Sequence, residues 1–110
     1  MTMRSFFRRP RAVSAAKSIE LIAAGAVVVD VRREQDWRRR HIPGSIHIPL
    51  AQLEERADEL PDDRLLITFC TGGLLSSGAA SLLTELGFDA ANMARGLIDW
   101  RAAGGDLVGG

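Results

Sequence analysis

The 110 residues hold a single cysteine, Cys70. One thiol excludes an intrachain disulfide and any metal site built on several cysteines. A free thiol persists most simply in a reducing compartment, so a cytoplasmic location is expected, and no metal or other cofactor. Long apolar runs are missing: none approaches the ~20 residues of a membrane span. The first residues also lack the apolar stretch of about 7–15 residues that marks a secretory signal. No membrane association is therefore expected. Neither charge is in excess, since 14 Lys and Arg face 14 Asp and Glu. The halves differ, however: positions 1–50 hold ten basic and four acidic residues, and positions 51–110 hold four and ten. That is a dipolar molecule rather than a basic one, and no nucleic-acid partner is expected. Internal repeats and low-complexity segments are absent.

What is present is ordinary for a globular protein, with 46% apolar and 25% charged residues. The length suits one domain with its own core. Positions 1–12 carry Arg4, Arg8, Arg9 and Arg11 without an acid, and read as a basic, flexible tail ahead of a domain over 13–110. Val13 opens a short edge strand, and Ser14 caps a helix over Ala15 to Ala24 that Gly25 ends. Ala26 to Val29 is a buried strand ending at Asp30. Glu34 to Arg40 is a short charged helix anchored by Trp37, His41 to Gly44 a turn, and Ser45 to Ile48 a short strand. Leu50, Leu53, Ala57 and Leu60 predict the apolar face of a helix whose Glu54, Glu55, Asp58 and Glu59 face water. Leu65 to Phe69 is an apolar strand fit for burial on both faces. A helix follows the Cys70 loop, with Ala79, Leu82, Leu83 and Leu86 on one face and Gly87 as its stop. Asp89 to Met93 is the last strand, and Gly96 to Ala103 a helix carrying Leu97 and Trp100.

This alternation predicts an α/β fold, a parallel sheet with helices on both faces. Function then gathers at the C-terminal ends of the strands. Asp30-Val31-Arg32, Cys70-Thr71-Gly72-Gly73 and Ala94-Arg95-Gly96 all follow strand ends and should share one rim. A lone cysteine is usually a structural, buried residue. Here a Gly-containing loop and a helix N-terminus follow it, and their N–H groups and dipole converge on one spot that favours an anionic sulfur.

Four stretches resemble the rhodanese family at single-domain size. Val29-Asp30-Val31-Arg32 is similar to its Asp-Val-Arg signature. His41-Ile42-Pro43-Gly44-Ser45-Ile46-His47-Ile48-Pro49 resembles its His-Ile-Pro-Gly-Ala-x-x-Ile-Pro stretch. Cys70-Thr71-Gly72-Gly73-Leu74-Leu75-Ser76 resembles the loop Cys-x-x-Gly-x-Arg-Ser, and Met93 to Trp100 the closing Leu-x-Gly-Gly-x-x-x-Trp. The resemblance implies a three-layer α/β/α domain on a five-stranded parallel sheet, with the Cys strand near its middle. It implies a sulfurtransferase that carries a sulfane sulfur on Cys70 as a persulfide. The donor would be thiosulfate or a persulfide, and the acceptor a thiol, cyanide or a sulfur-relay protein. Thr71, Gly72, Gly73, Leu74, Leu75 and Ser76 would form the substrate-binding loop. Its length matches the family's sulfur-handling loop, whereas related cell-cycle phosphatases use one residue more. That length and the missing Arg argue against a phosphatase or arsenate reductase. The alternative function is a binding or regulatory module with little thiosulfate turnover.

Two positions depart from the family pattern. Leu75 stands where active members usually carry Arg, and Arg95 where the closing motif has its first Gly. Thiosulfate loses charge-assisted bonds that Leu cannot supply. Arg95 or Arg32, following the strands beside the Cys strand, would have to replace that charge, unless both are surface or ion-pair groups. Asp30 is read as fixing loop geometry, His41 and His47 as hydrogen-bonding residues of turn and strand, and Trp37 and Trp100 as core anchors. Thr71 and Ser76 are expected to bond the loop backbone, with Ser76 capping the helix.

Overall fold

The computed structural model describes residues 11–109. Five parallel strands, β1 (Arg11–Val13), β2 (Val27–Asp30), β3 (Ile46–His47), β4 (Leu66–Phe69) and β5 (Ala90–Met93), form one sheet in the order β1-β5-β4-β2-β3. Helices α1 (Ala15–Ala23), α2 (Glu34–Arg39), α3 (Leu74–Glu85) and α4 (Gly96–Ala102) connect or follow them. The strand leading to the cysteine is central, and β2 and β5 flank it. All four residues of β4 are buried, as a strand covered on both faces requires.

The alternation along β4 divides the core into two layers. Leu66 and Cys70 join Val29, Ile48, Leu53, Ala79 and Leu83 beneath α3. Ile67 and Phe69 join Ala15, Val28, Met93 and Trp100 beneath α1 and α4. Ser14 starts α1 by accepting the Lys17 N–H at 3.0 Å, the expected N-cap. Among the described residues no helix is long and apolar enough to cross a membrane.

Three elements differ from the sequence expectation. First, β1 begins at Arg11, so Arg11 and Ala12 belong to the sheet rather than to the tail; the rest of that basic segment lies outside the described residues. Second, Leu50 to Leu60 is not one helix but two 3₁₀ turns, Leu50–Gln52 and Ala57–Glu59. The burial pattern holds, with Leu53, Ala57 and Leu60 inside. A helix here would set like charges at i, i+4, Glu54 against Asp58 and Glu55 against Glu59. Instead Arg56 bonds Glu59 at 2.8 and 3.0 Å and Gln52 at 2.7 Å, and its hydrogen bonds hold the Glu59 carboxyl below the usual carboxylate range. Third, α3 buries Ser76, Ala79, Ala80 and Leu83, while Leu86 is 44% exposed. Small residues let this helix approach the sheet closely, and Thr68 Oγ1 donates to the Ser76 carbonyl at 2.7 Å.

Candidate active site

Cys70 ends the central strand at 3% exposure, at the base of a cleft of about 380 Å³. The cleft is walled by Val31 and Arg32 after β2, Pro49, Leu50 and Ala51 after β3, and Thr71, Gly72, Leu74 and Leu75 from the loop and α3. On the side of the loop and α3 its mouth is apolar: Leu74 is 83% and Leu75 54% exposed. The chain turns beneath the sulfur so that two backbone N–H groups aim at it, Gly73 at 3.2 Å and Ser76 at 3.3 Å. The turn requires Gly73, which has φ 90° and whose absent Cβ would lie 2.6 Å from the Arg95 nitrogen. With the N-terminus of α3, these donors place partial positive charge against the sulfur.

Ser76 was expected to cap α3. The cap position is Gly73, and Ser76 lies within the first turn. Its hydroxyl is drawn sideways instead, 3.2 Å from Cys70 Sγ and donating to Asn92 Oδ1 at 2.5 Å. Thr71 contributes its carbonyl, which accepts from the Ile98 N–H at 3.4 Å.

The arginines separate. Arg32 follows β2 and lines the cleft, but its guanidinium is tied down. It donates to Asp30 at 2.7 to 3.1 Å and to the Arg40 carbonyl at 2.6 Å, and lies over the Phe69 ring. Asp30 also accepts the Arg32 N–H at 3.0 Å, so this buried pair braces the wall after β2. Arg95 follows β5, pairs with Asp99 at 2.9 Å, and is not among the residues lining the cleft. Its backbone sits at φ 58°, the left-handed region that suits the family's glycine and strains a side-chain-bearing residue by roughly 1–2 kcal/mol.

Sequence patterns single out neither Arg33 nor Asn92 as a site residue. Arg33 lines the cleft, 74% exposed, and pairs with Asp36 at 3.1 Å. It sits one place beyond the Asp-Val-Arg signature, in a run of charges where nothing singles it out. Asn92 does leave a signal in the sequence, as the polar member of an otherwise apolar buried strand. Among the described residues, then, the arginines around the cysteine are each matched by an aspartate: Arg32 by Asp30, Arg33 by Asp36, Arg95 by Asp99.

The histidines bond backbone. His41 Nδ1 meets the Trp37 carbonyl and His47 Nε2 the Arg32 carbonyl, both at 2.7 Å. Trp37 is half-buried and stacks with both imidazoles rather than anchoring the core. Trp100 is buried and donates to the Asp106 carbonyl at 2.9 Å.

A five-stranded parallel sheet with a lone thiol at the C-terminal end of its central strand, under a helix N-terminus, defines a rhodanese-type α/β domain. The family model for the Rhodanese-like domain matches residues 14–103, and the chain belongs to that family. It is 36% identical over 98 residues to the thiosulfate sulfurtransferase GlpE of Pseudoalteromonas translucida, covering 87% of this chain and 93% of the relative. It is 33% identical over 96 residues to an HTH-type transcriptional regulator of Mycobacterium tuberculosis, covering 84% of this chain and 42% of the regulator. The chain thus spans less than half of that relative. The crystal structure of a rhodanese-related protein from Thermoplasma volcanium superposes with a TM-score of 0.83 at 31% identity, over 89% of this chain and 97% of that one.

Proposed function

We propose that the domain is a sulfurtransferase with Cys70 as nucleophile and sulfur carrier. The observation that carries this reading is the pair of N–H groups aimed at Sγ in an open cleft. A thiolate held there attacks the outer sulfur of a donor. The donor's S–S bond breaks, and sulfite or a thiolate leaves with the bonding pair. Cys70 now bears a persulfide, whose anionic terminal sulfur the loop donors and the dipole of α3 stabilise. An acceptor thiolate or cyanide then attacks that terminal sulfur, and the Cys70 thiolate departs. The full chain incubated with a low-molecular-weight persulfide should gain about 32 Da, one sulfur, removable by dithiothreitol. If no donor adds mass, the cysteine is not a carrier, and the apolar mouth is left as the surface of a binding module.

The donor that suits this cleft is a persulfide rather than thiosulfate. Leu75 offers no charge, and the nearby arginines are matched by aspartates. Leu75→Arg is expected to raise kcat/KM for thiosulfate more than for a neutral persulfide. A hydrogen bond to a charged group contributes roughly 1.5–3 kcal/mol, or about tenfold to a hundredfold in rate when made in the transition state. The gain should shrink with salt, since position 75 is half exposed. Efficient thiosulfate use by the wild type, unchanged in this variant, would point to another cation. Of the two arginines on the cleft, Arg32 is held by Asp30 and the Arg40 carbonyl, so Arg33→Ala would then be the costly substitution.

A further inference from the structure

Asn92 is 8% exposed in β5, so its amide must find partners within the protein. Its Nδ2 donates to the Gly73 carbonyl at 3.2 Å, and its Oδ1 accepts from the Ser76 hydroxyl at 2.5 Å. The Gly73 carbonyl only accepts, so it fixes the amide's orientation; the flipped amide would set two oxygens against each other. With its oxygen toward Ser76, the amide in turn fixes the hydroxyl hydrogen. Ser76 Oγ, 3.2 Å from Cys70 Sγ, therefore turns a lone pair to the sulfur. In that orientation it accepts from a thiol and cannot donate to a thiolate. The two backbone N–H groups act the other way and favour the thiolate.

We propose that Asn92 is a positioning residue that restrains Cys70 in its thiol form by holding the Ser76 hydroxyl as an acceptor. For the hydroxyl to donate to a thiolate it must swing off Asn92, leaving a buried carbonyl oxygen unpaired. Removing Asn92 removes that competition, and the hydroxyl becomes a third donor to the sulfur anion. Among the described residues, the charged groups around the site are Arg32 with Asp30 after β2, Arg33 with Asp36 on α2, and Arg95 with Asp99 on α4. Each is already paired, and the substitution touches none of them.

This assignment rests on Cys70 as the nucleophile, the reading proposed above. Alkylation by iodoacetamide tests it without any sulfur transfer, and with one cysteine in the chain it reads Cys70 alone. The alkylation rate is followed against pH in the full chain. Greater exposure of the thiol raises the plateau, whereas easier ionisation lowers the pH of half-maximal rate. In Asn92→Ala that midpoint should fall by about one unit, equivalent to roughly tenfold faster alkylation at a pH below both midpoints. Adding Asn92→Ala to Ser76→Ala should not move the midpoint of Ser76→Ala, because Asn92 acts through the hydroxyl. Asn92→Val, which suits a buried strand, carries the same expectation if the alanine variant does not fold. A midpoint that stays or rises in the single variants, or that shifts as much without the Ser76 hydroxyl as with it, overturns the assignment. Sulfur transfer can fail while this result stands, so the two readings are separately testable.

Discussion

Cys70→Ser should lose sulfur transfer by on the order of 10³-fold or more, the scale seen when a covalent nucleophile is removed. A serine hydroxyl in this loop would face the Gly73 and Ser76 N–H groups that now point at the sulfur. It is not ionised near neutral pH, however, and cannot hold a sulfane sulfur. The variant should show no mass gain with any donor. Its fold should persist, because the substitution is small and keeps a polar atom facing those N–H groups. The stability change should stay within about 1–2 kcal/mol, measured by denaturant unfolding with an unchanged slope. Sulfurtransferase activity retained in Cys70→Ser would end the proposed mechanism, whatever the stability result.

That the cysteine could be singled out from sequence follows from local signals. A short apolar run, a Gly-containing loop and a helical repeat each leave a pattern on consecutive residues. The alternation of strands and helices placed Asp30, Cys70 and Arg95 at strand ends, and the sheet order β5-β4-β2 sets them side by side. What was not legible depends on contacts between distant positions. Asp30 and Arg32 are two residues apart, yet whether the guanidinium faces the cleft or its neighbour is decided by the Arg40 carbonyl and the Phe69 ring. Arg32 was a candidate for the missing charge, and its buried pairing makes it a brace. Asn92 reaches Gly73 and Ser76 across 19 and 16 residues of chain. The helix expected over Leu50 to Leu60 failed for another reason. Apolar spacing identified Leu53, Ala57 and Leu60 as residues that go inward, but two 3₁₀ turns bury them, and Leu50 is left half-buried at the cleft.

The largest loss of stability should come from Gly96→Ala, at the start of α4. Gly96 has φ 45°, and a Cβ there would lie 1.9 Å from the Cys70 carbonyl oxygen and 2.9 Å from its carbon. Real Cβ contacts with backbone do not reach such distances, so either α4 or the Cys70 loop must move. Both are fixed by the contact at issue, because the Leu97 N–H donates to the Cys70 carbonyl at 3.0 Å. The first turn of α4 thus holds the carbonyl side of the Cys70 loop. The Gly73 and Ser76 N–H groups hold its sulfur from the other side. Alanine at 96 carries backbone strain of roughly 1–2 kcal/mol for its left-handed conformation. Overpacking adds typically about 1–3 kcal/mol more. A loss of about 3–4 kcal/mol lowers Tm by more than about 10 °C in a domain of this size. Sulfur transfer should fall as well, since the displaced loop no longer aims its N–H groups at Sγ. Arg95, one residue earlier and also left-handed, shows that strain alone is tolerated at this turn. The contact with the Cys70 carbonyl is what separates the two positions. Calorimetry on Gly96→Ala decides the matter: a Tm within about 3 °C of wild type, less than a loss of 1 kcal/mol would produce, would show that the loop yields without cost and that α4 does not brace the cysteine.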